Sequence, residues 1–251
     1  MSSMKRWRNK AAVVTGASSG IGAACAIDLV KSGMVVVAIG RRQHRLEELK
    51  DKLPEELRGR IHAMKCDISK ESEVLQTFKW VNENLGGIHV LVNSAGIGNV
   101  IELTGKYCTR KLKENLDIDV VGAAFCVREA FNQMKDNNVD GHVVLLNSLY
   151  GHRIPEFPFG SANIYPAAKF AITAMAETYR QEFSKAGTNI KITSISPGAV
   201  DTEIIPPGYK DVIDWVKLKP EDVSNAIVYC ISTAPNVQIH ELIIKPMNER
   251  F

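Results

Sequence analysis

Charge of one sign is scarce in this chain: 31 Lys and Arg against 28 Asp and Glu leave a formal net charge of +3. The densest basic cluster, Lys5 to Lys10, is short. Neither a nucleic acid nor a membrane surface finds an electrostatic footprint in such a sequence. Long apolar runs are missing as well, and no stretch approaches the roughly 18 residues of a membrane span. The start, MSSMKRWRNKAAVVTG, is basic, but its apolar run is only AAVV. That is too short for a signal peptide, so a cytoplasmic location is expected. Cysteines are few and odd in number: Cys25, Cys66, Cys108, Cys126 and Cys230. Their wide spacing shows no CxxC or Cys/His pattern, so no metal is expected and buried free thiols in a reducing compartment are the plain reading. Linkers, internal repeats and low-complexity tracts are also absent. A single domain over 1–251 is expected, since a chain of this length buries a sizeable core.

What is present is alternation. Short β-branched apolar runs recur: AAVVT (11–15), MVVVAI (34–39), RIHAMKC (60–66), IHVLVN (88–93), HVVLLN (142–147), IKITSI (190–195) and QIHELII (238–244). These read as strands. Segments 20–32, 71–85, 108–137, 165–186 and 220–233 read as crossover helices between them. Strands that are apolar throughout belong in a parallel sheet covered on both faces. The expected fold is therefore α/β: a single-domain, doubly wound Rossmann-type fold with a seven-stranded parallel sheet. The least regular stretches, 149–164 and 199–219, follow strand ends, where ligands bind in such folds. They are the expected substrate loops.

The first strand-to-helix turn is TGASSGIG, Thr15 to Gly22. Gly16 permits a tight turn, while Gly20 and Gly22 let backbone approach a phosphate and let helix pack on strand. The helix N-terminus then offers N–H groups and a positive dipole end to an anion. The spacing, Gly-x-x-x-Gly-x-Gly, differs from GxGxxG, and a purely structural turn is the competing reading. The second strand runs into AIGRRQHR, with no acid before Glu47 to hold the ribose 2′-hydroxyl of NAD. Arg41 and Arg42 instead suit a 2′-phosphate, which favours NADP(H). A solvated basic helix start is the alternative. Asp67, in KCDIS, is placed either to accept from the adenine amino group or to cap the next helix.

NIYPAAKF puts Tyr165 and Lys169 one helical turn apart, on the face that also carries Ile172, Ala176, Tyr179 and Phe183. A lysine at the edge of an apolar stripe needs a partner. Pro166 is tolerated in a first turn. With NSAG (93–96), Ser148 in LLNSLYG and SPGAVDT (196–202) in this order, the chain resembles the short-chain dehydrogenase/reductase family, small single-domain type, over nearly its whole length. NSLYGHR, LKPEDV and STAPNVQI are most similar to its branch of insect farnesol dehydrogenases and 17β-hydroxysteroid dehydrogenase-like proteins.

The resemblance implies an NADP(H)-dependent oxidoreductase that interconverts an alcohol and a carbonyl compound. It places Gly16, Ser18, Ser19, Gly20, Ile21, Gly22, Arg41, Arg42, Asp67, Ile68, Asn93, Ala95, Gly96, Tyr165, Lys169, Pro197, Gly198, Val200 and Thr202 at the cofactor. Tyr165 would exchange the alcohol proton, Lys169 would favour its phenolate form, and Ser148 would hydrogen-bond the same substrate oxygen. A serine that merely caps a turn is the plainer reading of Ser148. Asp119, aligned on Gly122 and Phe125, stands where the family usually has an asparagine that supports a water-mediated proton relay. Asn115, one turn earlier, fits less well. The aspartate is expected to alter the pH profile. Tyr150, Ile154, Phe157 and Phe159, with EIIPPGYKDVIDW (203–215), suggest a hydrophobic small-molecule substrate: a terpenoid alcohol such as farnesol, a steroid or a retinoid. The alternative is a catalytically weakened NADP(H)-binding sensor or scaffold, which Asp119 and Ser94 would favour. A homodimer or homotetramer packed through the helices at 108–137 and 165–186 is also implied.

Overall fold

Neighbouring residues of the first strand serve two different cores. Ala12 and Val14 pack on one face of the sheet and Val13 on the other, and all three are fully buried. That is the physical reason the strand is apolar at every position rather than at alternate ones. The computed structural model describes residues 3–100, 102–154, 161–204 and 217–249. Its strands are β1 Ala11–Thr15, β2 Val35–Gly40, β3 Ile61–Lys65, β4 Val90–Asn93, β5 His142–Leu146, β6 Lys191–Pro197 and β7 Glu241–Ile244. They form one seven-stranded sheet in the order β3-β2-β1-β4-β5-β6-β7. Every pairing is parallel, as the expected fold requires.

The helices are α1 Gly20–Lys31, α2 Gln43–Glu47, α3 Glu71–Leu85, α4 Thr109–Leu116, α5 Ala123–Asp136, α6 Tyr165–Lys185 and α7 Pro220–Ser232. One core holds Leu29 of α1 and Ile227 of α7 against Val14, Val36 and Val92. The other holds Phe78 of α3, Val127 of α5 and Ile172 of α6 against Val13, Leu91 and Val143. Burying a Leu, Ile or Phe side chain of this kind contributes about 1.5–3 kcal/mol before entropy is counted. All five cysteines are free and buried. No helix among the described residues is long and apolar enough to cross a membrane.

Three details depart from the sequence reading. The segment expected as one helix over 108–137 is interrupted by a π-helical turn, Asp117–Gly122, between α4 and α5. The last strand begins at Glu241 rather than at 238, because residues before it turn their carbonyls to side chains of β6: Thr193 Oγ1 donates to Ile239 O at 2.7 Å. The short α2 was not expected. Of the two proposed substrate loops, 155–160 and 205–216 lie outside the described residues, and with them Phe157, Phe159 and most of EIIPPGYKDVIDW.

β1 and β4 are neighbours, so the chain leaves them toward opposite faces and opens a crevice at their carboxyl ends. A cavity of about 660 Å³ occupies that crevice, and residues from every expected motif line it.

Candidate active site

The turn after β1 is built for close approach. Gly16 has φ +66° and Gly20 φ +55°, both in the left-handed region that favours glycine. A Cβ on Gly16 would stand 2.7 Å from Ala95 Cα, and one on Gly22 would stand 2.5 Å from Gly16 O. Thr15 locks the neighbouring strand end: its hydroxyl donates to Asn93 Oδ1 at 2.9 Å and accepts from the Ser94 and Ala95 N–H groups. Asn93 Nδ2 donates to Ala123 O at 3.1 Å, so this side chain braces β4 against α5 and does not line the cavity. α1 starts behind Ser19, whose side chain makes no capping hydrogen bond, leaving the first N–H groups of the helix to the cavity. A glycine cradle on an uncapped helix N-terminus fits a pyrophosphate.

The other sequence-chosen cofactor residues, Ser18, Ile21, Arg41, Arg42, Asp67, Ile68, Gly96, Pro197, Gly198, Val200 and Thr202, line the same cavity. Asp67 serves its own turn: Oδ1 accepts from the Ser69 hydroxyl at 2.7 Å and from the Ser69 N–H at 3.1 Å. Arg42 lies across the glycine turn, donating to Ser18 Oγ and Ser19 Oγ. Arg41 faces Glu114 at 3.6 Å.

Tyr165, Lys169 and Ser148 line the same cavity. Tyr165 opens α6, and Lys169 Nζ lies 5.3 Å from its ring centroid. The Lys169 side chain is 6% exposed; Nζ donates to Leu146 O at 3.1 Å and stands 3.8 Å from Asp119 Oδ2. Ser148 Oγ accepts from the Tyr150 N–H at 3.2 Å, so the serine does cap its turn. Accepting that bond leaves its O–H to donate. Tyr150 meets the Tyr165 ring edge to face, with centroids 5.9 Å apart. Burial, with Tyr165 and Glu249 adding to it, pushes the Tyr150 phenol up to about 12. Tyr150 therefore stays a phenol near neutral pH and is unsuited to act as a base.

Asp119 sits in the π-helical turn and does not line the cavity but stands behind Lys169. Its Oδ1 accepts from the Ile97 N–H at 2.9 Å. Oδ2 is buried and accepts no hydrogen bond from the described residues. Burial pushes this carboxyl up to about 6, outweighing the Lys169 charge and the Ile97 hydrogen bond, which pull it down. Asn115, on the preceding turn, donates from Nδ2 to Ile97 O at 2.7 Å, and the two side chains together hold the loop after β4.

A family model described as "short chain dehydrogenase" matches residues 10–211. The chain belongs to the short-chain dehydrogenase family. It is 51% identical to the farnesol dehydrogenase of Aedes aegypti over 250 residues, covering 99% of this chain and 100% of that protein. It is 36% identical to dehydrogenase/reductase SDR family member 11 of Mus musculus, covering 98% and 97% of the two chains. A solved structure of the closed form of a serine dehydrogenase complexed with NADP+ is similar at TM-score 0.85 and 27% identity, covering 96% of each chain. This short-chain dehydrogenase is accordingly an oxidoreductase that binds a nicotinamide cofactor.

Two contacts at the site of this dehydrogenase escaped the sequence reading. Glu203 accepts from Arg42 at 2.7 Å and from Arg45, bridging the segment after β6 to the start of α2. Glu249, beyond β7, reaches back to the Ala199 N–H at 2.8 Å and lines the cavity. Neither belongs to a local motif, so no spacing in the chain announced it.

Proposed function

We propose that this dehydrogenase is an NADP(H)-dependent enzyme interconverting a hydrophobic alcohol and its carbonyl compound, with an isoprenoid alcohol of the farnesol class as the leading substrate. The observation that carries the reaction type is that Tyr165, Lys169 and Ser148 line one cavity together with the glycine cradle after β1. Arg42, spread over Ser18 and Ser19, supports the 2′-phosphate reading. The farnesol dehydrogenase relative at 51% identity supports the substrate class. The nicotinamide, when bound, supplies the hydride acceptor or donor.

The protein's own part is acid–base and positional. Tyr165 takes the alcohol proton in oxidation and returns one in reduction. Lys169, buried and anchored to Leu146 O, presents its positive charge beside the Tyr165 ring, where it can steady negative charge as the proton leaves. The Ser148 O–H donates to the substrate oxygen as charge develops there. With all three groups at one cavity, turnover is favoured over a sensor role. The decisive experiment is a turnover panel with NADP+ and NAD+ against farnesol, a steroid alcohol and a simple secondary alcohol. Turnover with farnesol that prefers NADP+ supports the proposal; turnover confined to NAD+ or to small alcohols overturns the corresponding part.

Asp119 is proposed as a positioning residue that holds the loop after β4 and opposes the Lys169 charge once ionised. Its folded value is raised to about 6, so folding favours the neutral carboxyl relative to the unfolded chain. The stability tied to that form is fully present below about pH 4, the ordinary range, and is lost as pH rises through about 6. Asp119→Asn mimics the neutral form. It is expected to match the wild type near pH 4 and to be the more stable of the two above pH 7, in denaturant melts. Its pH–rate profile for oxidation should differ from that of the wild type, because the carboxylate no longer opposes the Lys169 charge. Identical melts and pH profiles for both proteins would remove Asp119 from the mechanism.

Assembly as a homodimer or homotetramer through α5 and α6 is proposed as well. Phe170 is 42% exposed on α6 and Val121 is 41% exposed just before α5, apolar surface that a second copy would cover. Light scattering that reports only monomer at micromolar concentration would exclude it.

A further inference from the structure

The crevice contains an anion of its own. Glu203, in the segment after β6, lines the cavity and gives one carboxylate oxygen to each of two guanidiniums: Oε2 accepts from Arg42 at 2.7 Å and Oε1 accepts from Arg45. Arg42 is the side chain that also spans Ser18 Oγ and Ser19 Oγ on the glycine turn. Guanidiniums hold a phosphate through the same kind of charge-assisted N–H to oxygen bonds. Hydrogen bonds from Arg42 and then Arg45 hold the Glu203 carboxyl below the usual carboxylate range, so it is an anion near neutral pH. The chain on either side keeps it in place. A Cβ on Gly20 would stand 3.1 Å from Thr202 Cγ2, and one on Gly98 would stand 3.2 Å from Ile204 Cγ1. Glu203 thus lies between a residue packed on the glycine turn and a residue packed on the loop after β4. Its side chain is half exposed, so a ligand can reach the same guanidiniums. No step of the hydride and proton transfer uses this carboxylate, and a phosphate brought to Arg42 meets it as a like charge.

We infer that Glu203 is a cofactor-specificity residue: it competes with the 2′-phosphate of NADP(H) for Arg42 and Arg45, and so sets how tightly that cofactor is held. This deepens the NADP(H) reading and rests on it. Binding exchanges one anion for another on the same guanidiniums, so the gain from the phosphate is offset by loss of the Glu203 bridge. When the cofactor leaves, the carboxylate takes the arginines back, which eases its departure. NAD(H) carries no 2′-phosphate and does not contest the bridge.

The test is fluorescence titration of the full chain with NADPH and with NADH, together with stopped-flow release of NADPH, in wild type and Glu203→Gln. Glutamine keeps the shape and removes the charge. Because exposed ion pairs are weak, the variant is expected to bind NADPH about two- to tenfold more tightly and to release it correspondingly more slowly. Binding of NADH should change by less than about twofold. The gain should shrink as salt is added, since exposed charges are screened. A smaller gain for NADPH, an equal gain for NADH, or a gain that salt does not diminish overturns the inference, and the NADP(H) reading stands if the wild type still prefers NADPH. If the wild type has no such preference, that reading fails by itself and Glu203→Gln decides the rest. A preference for NADPH that appears only in the variant makes Glu203 the group that withholds it, whereas continued indifference overturns the inference as well.

Discussion

Tyr165→Phe is expected to lower kcat for alcohol oxidation by about 10²–10⁴-fold, the usual worth of a positioned acid–base group. The substitution removes one oxygen and keeps the ring that Lys169 and Tyr150 pack against. Fold and cofactor affinity should therefore survive, and fluorescence titration with NADPH checks the second point. The neighbouring Tyr150 cannot take over, because burial holds its phenol up to about 12. The loss should appear in kcat and kcat/KM alike, as for an interaction made mainly in the transition state. If Tyr165→Phe retained more than a tenth of the wild-type rate, Tyr165 would not be the proton-transfer group.

Arg42→Ala is expected to weaken NADP+ binding by about 10–100-fold while changing NAD+ binding less than threefold. A charge-assisted hydrogen bond contributes roughly 1.5–3 kcal/mol, and only NADP+ carries the 2′-phosphate that would receive it. The guanidinium is shared among Ser18, Ser19 and Glu203. Its ion pair with Glu203 is half exposed, and pairs of that kind contribute about 0–1 kcal/mol. A phosphate can displace the carboxylate at little cost. Paired dissociation constants for the two cofactors provide the measurement. Equal weakening for both would mean that Arg42 serves the glycine turn and not the 2′-phosphate.

The sheet was legible in the sequence because parallel strands buried on both faces are apolar at each position, as Ala12, Val13 and Val14 are. The glycine turn was legible for a similar reason: Gly16 and Gly22 answer contacts made within the first βαβ unit and its neighbour β4. Tyr165 and Lys169 could be paired because one helical turn brings them together. What stayed hidden depends on distant contact. Glu203 meets Arg42 across 161 residues of chain, and Glu249 meets Ala199 across 50. The π-helical turn arises where Asp119 bends in to hold Ile97, a bond that no periodicity encodes. Ser148 shows that two readings of one residue need not compete, since it caps its turn and still offers a hydrogen to the cavity. Asn93 marks the reverse case: its amide is consumed by Thr15 and Ala123 and is not turned to the cofactor space.

The buried cysteines bear on chemical durability. Oxidising an allylic isoprenoid alcohol yields a conjugated aldehyde, an electrophile that adds to thiolates. Burial pushes the Cys25, Cys66 and Cys126 thiols up and holds Cys230 up to about 11, so each persists as the unreactive thiol near neutral pH. Cys66 lies on the wall of the very cavity where such an aldehyde would be released. These four cysteines would offer no thiolate to a conjugated aldehyde of the proposed substrate class.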